Sequence, residues 1–161
     1  MTTILITKDV IVWDSQTTHG SRPMTTADPK VFTIDDTIFA CAGDLPHARD
    51  AAQWVRCGAN PKNAPKGDWE IIVWKKGKKP RVYNSNDNHT GFSVSLPACL
   101  GSGGQAALAA LYAGVKPEQA MEVAYKMDVY SSGPTQKLYV KEFFKNVKRE
   151  KRPRSTATKR P

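Results

Sequence analysis

Short runs of β-branched and aliphatic residues, separated by polar turns, dominate the first hundred positions of the chain. Runs of this kind are typical of strands, and three pairs of them are joined by only two to five residues, as in β-hairpins. We therefore predict hairpins formed by 3–7 with 10–13, by 31–34 with 37–42, and by 69–74 with 80–83. A further strand is predicted at 91–100.

Apolar residues recur at helical spacing in three other segments. Residues 46–57 place four apolar side chains on one face, which predicts an amphipathic helix. Residues 105–113 are rich in alanine and leucine and end before a glycine, and a proline favours the start of another helix at Pro117–Met127. A last strand is predicted at 138–140. The stretch 46–66 has room for one helix, or one helix and a fragment.

The order of these elements is strands, one helix, strands, two helices and a final strand. This order predicts an α+β fold in which helices pack outside layers of sheet. The length of 161 residues suits one domain, which we assign to residues 1–144. No apolar run approaches the roughly 20 residues of a membrane span and no signal peptide is evident, so we expect a cytoplasmic protein without membrane association.

The positive charge is concentrated at the C-terminus. Of the formal net charge of +9, residues 145–161 carry +7, from eight basic residues and one acidic residue. The remaining 16 basic and 14 acidic residues leave the body at +2. We predict that 145–161 is a disordered basic tail. Weak binding of nucleic acid and a simple solubilising role are both consistent with this composition.

The start of the chain contains the first candidate chemistry. Met1 is followed by Thr2, a small residue whose presence is compatible with removal of the initiator methionine. An N-terminal threonine has a hydroxyl nucleophile and an α-amine that can serve as its base. The reference pKa of that amine, roughly 7.7–8.0, allows proton exchange near neutral pH.

Five further motifs follow in a fixed order. They are Asp14-Ser15-Gln16-Thr17-Thr18, Lys30-Val31, Ala42-Gly43, Gly101-Ser102-Gly103-Gly104 and Asp128-Val129-Tyr130-Ser131-Ser132-Gly133. Together with the Thr2-Thr3-Ile4 start, this series resembles the proteasome β-subunit family of N-terminal-nucleophile hydrolases, and within it the HslV-type peptidase subunits of bacterial ATP-dependent proteases. The resemblance covers roughly residues 2–140, and it depends on the ordered set, since any single motif is unremarkable.

The resemblance implies a role for each matched residue. Thr2 corresponds to the nucleophile, and Lys30 to the lysine that favours its deprotonated form. Asp14 corresponds to the acid that pairs with that lysine. Gly43 corresponds to the turn whose N–H faces the developing oxyanion.

A second group of matched residues surrounds the N-terminal amine in the family. Its members here are Ser102, Asp128 and Ser131, and a carboxylate with two hydroxyls is a suitable set of acceptors for an amine. Thr17 and Thr18 correspond to the segment that binds an extended peptide, and Ala40 to a position lining the first specificity pocket.

The resemblance also implies a fold and partners. It implies a four-layer αββα sandwich, with a reduced helical layer here because 46–66 is short. It further implies peptide or unfolded-protein substrates, a homo-oligomeric ring and an ATP-dependent unfoldase as partner. No cofactor is implied, and the cysteines and histidines lack the spacing of a metal site. Position 132 is serine where the family pattern usually has glycine.

Other interpretations remain open from the sequence alone. Asp14 and Lys30 are also consistent with an ordinary surface pair, and 101–104 with a plain strand-to-helix connection. At the level of function, one alternative is a non-catalytic structural or nucleic-acid-binding protein that acts through its basic tail. The other is a hydrolase of small amides on the same fold.

Overall fold

The computed structural model describes residues 2–19, 22–26, 28–86 and 90–147. Met1 and 148–161 lie outside the described residues, so the predictions made for them are not tested.

The described part contains four α-helices, one 3-10 turn and several antiparallel sheets. The strands are β1 (Ile4–Ile6), β2 (Val10–Trp13), β3 (Gln16–His19), β4 (Arg22–Thr25), β5 (Val31–Ile34), β6 (Thr37–Gly43), β7 (Trp69–Lys75), β8 (Arg81–Asn84), β9 (Phe92–Ser93), β10 (Ala98–Leu100) and β11 (Gln136–Tyr139). The helices are α1 (Leu45–Arg56), α2 (Gly104–Tyr112), α3 (Pro117–Met127) and α4 (Val140–Asn146), and the 3-10 turn is Pro61–Asn63.

One sheet is formed by four strands in the order β10-β1-β2-β11, all antiparallel to their neighbours. Its β1–β2 hairpin pairs Ile4 with Trp13. Thr2, which precedes β1, and Asp14, which follows β2, therefore lie at the same end of the sheet. One face of this sheet packs against α2 and α3 through a buried cluster that includes Leu5, Val12 and Met121.

A second sheet contains five strands in the order β5-β6-β7-β8-β9. Helix α1 covers one of its faces, and Trp54 from the helix and Trp69 from β7 lie in the cluster between them. A third cluster joins the two sheets, with Ile4 and Ile11 from the first and Ile38 and Ile72 from the second. Burial of these large apolar residues is the main favourable contribution to folding.

The α+β class and most of the predicted elements are confirmed. The three predicted hairpins are present as β1–β2, β5–β6 and β7–β8. The 46–66 stretch contains one helix and a short 3-10 turn, which confirms the expectation of one helix or one helix and a fragment.

Three features differ from the sequence-based expectation. The strand predicted at 91–100 is two short strands, β9 and β10, separated by residues 94–97. The hairpin β3–β4 was not predicted. Helix α4 continues through Asn146, beyond the predicted start of the tail at 145, because Phe143 and Phe144 pack against the core.

No helix in the described part of the chain is long and apolar enough to cross a bilayer.

Candidate active site

The segment Thr2-Thr3 enters the fold at the start of β1 and is almost fully buried, with Thr2 2% and Thr3 0% exposed. A loop at the end of β10 lies directly against it. A Cβ atom added to Gly101 would lie 1.9 Å from the Thr2 carbonyl oxygen, and one added to Gly103 would lie 2.0 Å from Thr3 Oγ1. The backbone of this loop therefore forms one wall around the candidate nucleophile.

A buried ion pair lies on another side of the segment. Lys30 Nζ donates a hydrogen bond of 2.8 Å to Asp14 Oδ1, and the two side chains are 2% and 0% exposed. The same carboxylate oxygen accepts a 2.8 Å hydrogen bond from the Thr3 N–H. Lys30 Nζ also donates to the Gln16 carbonyl oxygen. The structure therefore excludes the alternative that Asp14 and Lys30 form an ordinary surface pair.

Burial determines the electrostatics of this pair. Burial raises the pKa of Asp14, although the neighbouring Lys30 charge opposes that effect. Burial likewise lowers the pKa of Lys30, and the Asp14 carboxylate opposes that effect. In each residue the neutral form is favoured relative to the same group in water. A cavity of about 220 Å³ borders the pair on the side of Trp13 and Thr26.

A second polar cluster contains the three residues Ser102, Asp128 and Ser131. Ser102 Oγ and Ser131 Oγ donate hydrogen bonds of 2.7 and 2.6 Å to Asp128 Oδ2. Burial raises the pKa of Asp128, but these two bonds and one from the Tyr130 N–H outweigh it, so that the pKa lies below the ordinary value. Asp128 is therefore a carboxylate at neutral pH.

The two clusters meet at Thr3. Its N–H donates to Asp14, and its hydroxyl lies 2.5 Å from Ser131 Oγ. Ser131 has one hydroxyl proton, which goes to Asp128, so Thr3 is the donor in its contact with Ser131. The hydrogen bonds therefore continue from Lys30 through Asp14 and Thr3 to Ser131 and Asp128.

Two further predicted residues lie on β6. Gly43 is its last residue, opposite Trp69 on β7. The Cys41 N–H, two residues earlier on the same strand, donates a 2.8 Å hydrogen bond to the Lys30 carbonyl. Ala40 is 1% exposed and lies in the core between the two sheets. The role predicted for Ala40 in a specificity pocket stays a prediction.

The predicted substrate-binding residues Thr17 and Thr18 lie on β3, opposite Met24 and Pro23 of β4. Both threonines are half-buried. In an antiparallel ladder, successive residues direct their backbone groups alternately toward and away from the partner strand. The Gln16 N–H donates to the Ser132 carbonyl and its C=O accepts from Lys30, so both point away from β4. The backbone of Thr18, two residues later, is expected to point the same way.

Sequence reasoning gave no role to three residues that hold this site together: Thr3, Gln16 and Ser132. Thr3 and Gln16 are buried polar residues, 0% and 6% exposed. Each contacts the turn at 128–133 from more than a hundred residues away in the chain. The available signal was a polar residue close to the end of a short apolar strand, before β1 for Thr3 and after β2 for Gln16. That signal does not reveal which residues they contact.

Comparison with known proteins identifies the class of fold. No family model matches the chain, and no curated protein matches it. Among solved structures, eukaryotic HslV from Trypanosoma brucei aligns with a TM-score of 0.66 and 19% identity, over 86% of this chain and 97% of that one. BPH from Thiobacillus denitrificans, in complex with epoxomicin, aligns with a TM-score of 0.62 and 16% identity, over 86% and 96%.

These alignments show that the chain has the fold of the N-terminal-nucleophile hydrolases of the proteasome β-subunit type. Within that class, the fold is similar to HslV. Within the described ranges, no three His, Cys, Asp or Glu residues lie close enough together to hold a metal ion.

Proposed function

We propose that this chain is a threonine-type endopeptidase whose nucleophile is Thr2, made N-terminal by removal of Met1. The observation that carries the proposal is the buried Asp14–Lys30 pair, which is hydrogen-bonded to the backbone of the residue next to Thr2. A buried ion pair is weak evidence for stability, because desolvation offsets much of the attraction. Titratable groups whose pKa values are shifted by burial, beside a candidate nucleophile, favour a chemical role instead.

The proposed reaction begins with attack of Thr2 Oγ1 on the carbonyl carbon of a peptide bond. The Thr2 α-amine takes the hydroxyl proton and passes it to the departing amine when the C–N bond breaks. Water then hydrolyses the resulting ester and restores the hydroxyl. Lys30 favours the alkoxide electrostatically, and the Gly43 N–H stabilises the oxyanion. A donor of this type contributes roughly 2.7–4 kcal/mol to the transition state.

Asp128 and its two serines have the second role in the proposal, which is to hold and orient the Thr2 α-amine. The carboxylate charge at neutral pH favours a cationic or hydrogen-bonded amine nearby. The hydroxyls of Ser102 and Ser131 fix the carboxylate, and Thr3 ties this group to Asp14. An oriented amine is what an N-terminal nucleophile requires of its base.

We propose that the substrate is an extended peptide that pairs with the edge of β3 that faces away from β4. Gln16 already uses its backbone groups on this edge, with Ser132 and Lys30. Thr18 is therefore the residue whose N–H and C=O can bind a peptide by strand addition. This mode of binding favours unfolded protein segments over small amides, which have no backbone to pair with Thr18.

The packing supports a four-layer αββα sandwich in which one helical layer is reduced to α1. Clusters of buried residues join α1 to the second sheet, the two sheets to each other, and the first sheet to α2 and α3. We also propose a homo-oligomeric ring that works with an ATP-dependent unfoldase in the cytoplasm. Tyr112, Met127 and Val129 are 71%, 74% and 83% exposed, and an assembly interface would cover such side chains.

Intact mass spectrometry tests the proposal directly. Untagged protein is expected to lack Met1, and incubation with epoxomicin, the compound bound in the BPH complex, is expected to add one molecule per chain. Thr2→Ala should abolish both labelling and cleavage of a fluorogenic peptide, whereas Thr2→Ser should keep part of the activity. Thr33→Ala on the exposed side of β5 is the matched control. Full turnover by Thr2→Ala would refute the assignment.

A further inference from the structure

The position of the Lys30 ammonium depends on two acceptors, the Asp14 carboxylate and the Gln16 carbonyl. Asp14 is held by the Thr3 N–H and by the end of β2. Gln16 is the first residue of β3, in a hairpin of only two strands whose partner β4 is exposed along its length. A two-stranded hairpin is marginally stable by itself. Something else must therefore fix the Gln16 carbonyl.

The turn that follows Asp128 supplies that support. The Gln16 N–H donates a 3.1 Å hydrogen bond to the Ser132 carbonyl. The Gln16 side chain accepts a hydrogen bond at Oε1 from Ser132 Oγ and donates one of 3.4 Å from Nε2 to the Val129 carbonyl. With 6% of its surface exposed, Gln16 is thus held through its backbone and both ends of its amide.

The Val129 carbonyl determines which way this amide points, and the Ser132 hydroxyl contacts its other end. Because a carbonyl oxygen only accepts, Nε2 must face Val129, which leaves Oε1 to accept from Ser132 Oγ; the reversed amide would lose the hydrogen bond to Val129. Ser132 does not have the positive φ that requires glycine; the described non-glycine residues with positive φ are Asp35 and Ala59. The serine at this position therefore adds a contact to the turn without straining its backbone.

We propose that the Gln16 side chain and the Ser132 hydroxyl form a latch that positions the Gln16 carbonyl against Lys30 Nζ. The latch joins the turn of Asp128 and Ser131 to the ion pair of Asp14 and Lys30. Both residues are positioning residues, since they act through Lys30. This inference rests on the proposed function for its kinetic consequences, but the geometry of the latch can be tested without activity.

The expected kinetic effect is on turnover. Ser132→Ala removes the hydroxyl and leaves the backbone bond, so kcat is expected to fall about five- to tenfold, the equivalent of one weakened hydrogen bond and a small displacement. KM should change less than twofold, because the Ser132 hydroxyl is directed to the Gln16 side chain and not to the backbone of Thr18. Ser132→Thr keeps a hydroxyl and should restore most of the turnover. Ser93→Ala, on the exposed strand β9, is the matched control.

The direct readout is the titration of Lys30, followed by NMR in protein labelled with ¹⁵N-lysine. The charged groups acting on Lys30 are Asp14 and Asp128, and neither is altered by Ser132→Ala. A carbonyl that accepts from the ammonium favours its charged form. Loosening it should therefore lower the Lys30 titration midpoint in Ser132→Ala and in Gln16→Ala. Because the proposed role of Lys30 requires its charge, the basic limb of the kcat/KM profile should move to lower pH.

The outcomes separate the two ideas. A lower Lys30 midpoint in a protein without Thr2-dependent cleavage supports the latch and refutes the peptidase. An unchanged midpoint in Ser132→Ala refutes the latch, whatever the activity of the protein. If Gln16 and Ser132 act together, Ser132→Ala in the Gln16→Ala background should have no further effect on kcat. Independent, additive losses would also overturn the proposal.

Discussion

Replacing Lys30 by methionine tests whether the buried pair is as isolated from solvent as its 2% and 0% exposure indicates. Lys30→Met leaves the Asp14 carboxylate buried, with the Thr3 N–H as its remaining hydrogen bond on Oδ1. Within the described part of the chain, Asp14 Oδ2 has no hydrogen-bond partner. Removing one member of such a pair typically costs 3–5 kcal/mol. For a chain of this size, that corresponds to a Tm lower by about 6–20 °C.

The loss should depend on pH in a defined direction. Without Lys30, the effect of burial on Asp14 is no longer opposed by the charge that lowers its pKa. A carboxyl whose pKa is raised in the folded state destabilises the fold as pH rises through that pKa. Lys30→Met should therefore be most destabilised at pH 8 and least at pH 5. The double variant Asp14→Asn, Lys30→Met buries no charge, so its stability should return to within about 1–2 kcal/mol of the parent.

Urea unfolding of the four proteins at pH 5, 6.5 and 8 measures these differences. The matched control is Lys75→Met, which removes a lysine that is 58% exposed and lies 3.6 Å from Asp36; exposed pairs contribute about 0.2–1 kcal/mol. A cost for Lys30→Met no larger than for Lys75→Met, or one that is equal at all three pH values, would refute the reasoning. The double variant should be stable and inactive, which separates stability from catalysis.

Three further predictions concern the walls of the site and the tail. Gly101→Ala should lower both Tm and peptide turnover, because its Cβ would collide with the Thr2 carbonyl at 1.9 Å and Gly101 has a φ of +78°. Asp128→Asn should remove an acid-sensitive part of the stability. Because the folded state lowers the pKa of Asp128, the stabilisation is present above pH 3.8 and is lost as pH falls through the folded-state pKa. The acid unfolding curves of parent and variant should therefore converge at low pH. A chain ending at Val147 should keep its Tm and turnover but lose any salt-sensitive DNA retention, whereas ending at Phe144 should lower Tm because it removes the end of α4 and the Lys76–Val147 contact.

The sequence was sufficient for the elements whose stability is local or whose pattern is regular. Hairpins such as β5–β6 combine β-branched strands with a two-residue Asp35-Asp36 turn, and both features are visible in the sequence. Helix α3 begins at its proline as expected. The β3–β4 hairpin was missed because its residues are polar or exposed and Pro23 weakens the strand pattern. The sequence Gly20-Ser21 between the two strands is nevertheless typical of a hairpin turn.

Helix α4 was not predicted, for a related reason. The density of basic residues from 145 onward suggested that no ordered element extends beyond that point. Phe144 nevertheless packs edge-on against Trp74, with ring centroids 5.6 Å apart, and anchors α4. The basic residues favour a disordered segment from 145 onward, whereas the packing of Phe144 favours an ordered helix. The packing is the stronger effect, and α4 continues to Asn146.

The candidate site shows a similar division. The ordered motifs indicated Asp14, Lys30, Ser102, Asp128 and Ser131, and the structure brings them into two clusters that meet at Thr3. The links between the clusters come from Thr3 and Gln16, whose side chains have no distinguishing feature in the sequence. Their partners become evident only when β3 and the turn at 128–133 lie side by side.

The Gly101-Ser102-Gly103-Gly104 segment illustrates how a sequence pattern acquires its meaning from the fold. As a sequence it is consistent with a plain connection to α2. In the structure, the backbone at Gly101 and Gly103 lies so close to Thr2 and Thr3 that no Cβ fits, and a Cβ on Gly103 would also lie 3.0 Å from Asp128 Oδ2. Ser102, between these glycines, directs its hydroxyl to the same carboxylate oxygen. The two glycines let the backbone of this loop lie against Thr2 and Thr3 without displacing them. The serine between them adds a hydroxyl that holds the Asp128 carboxylate beside the same two residues.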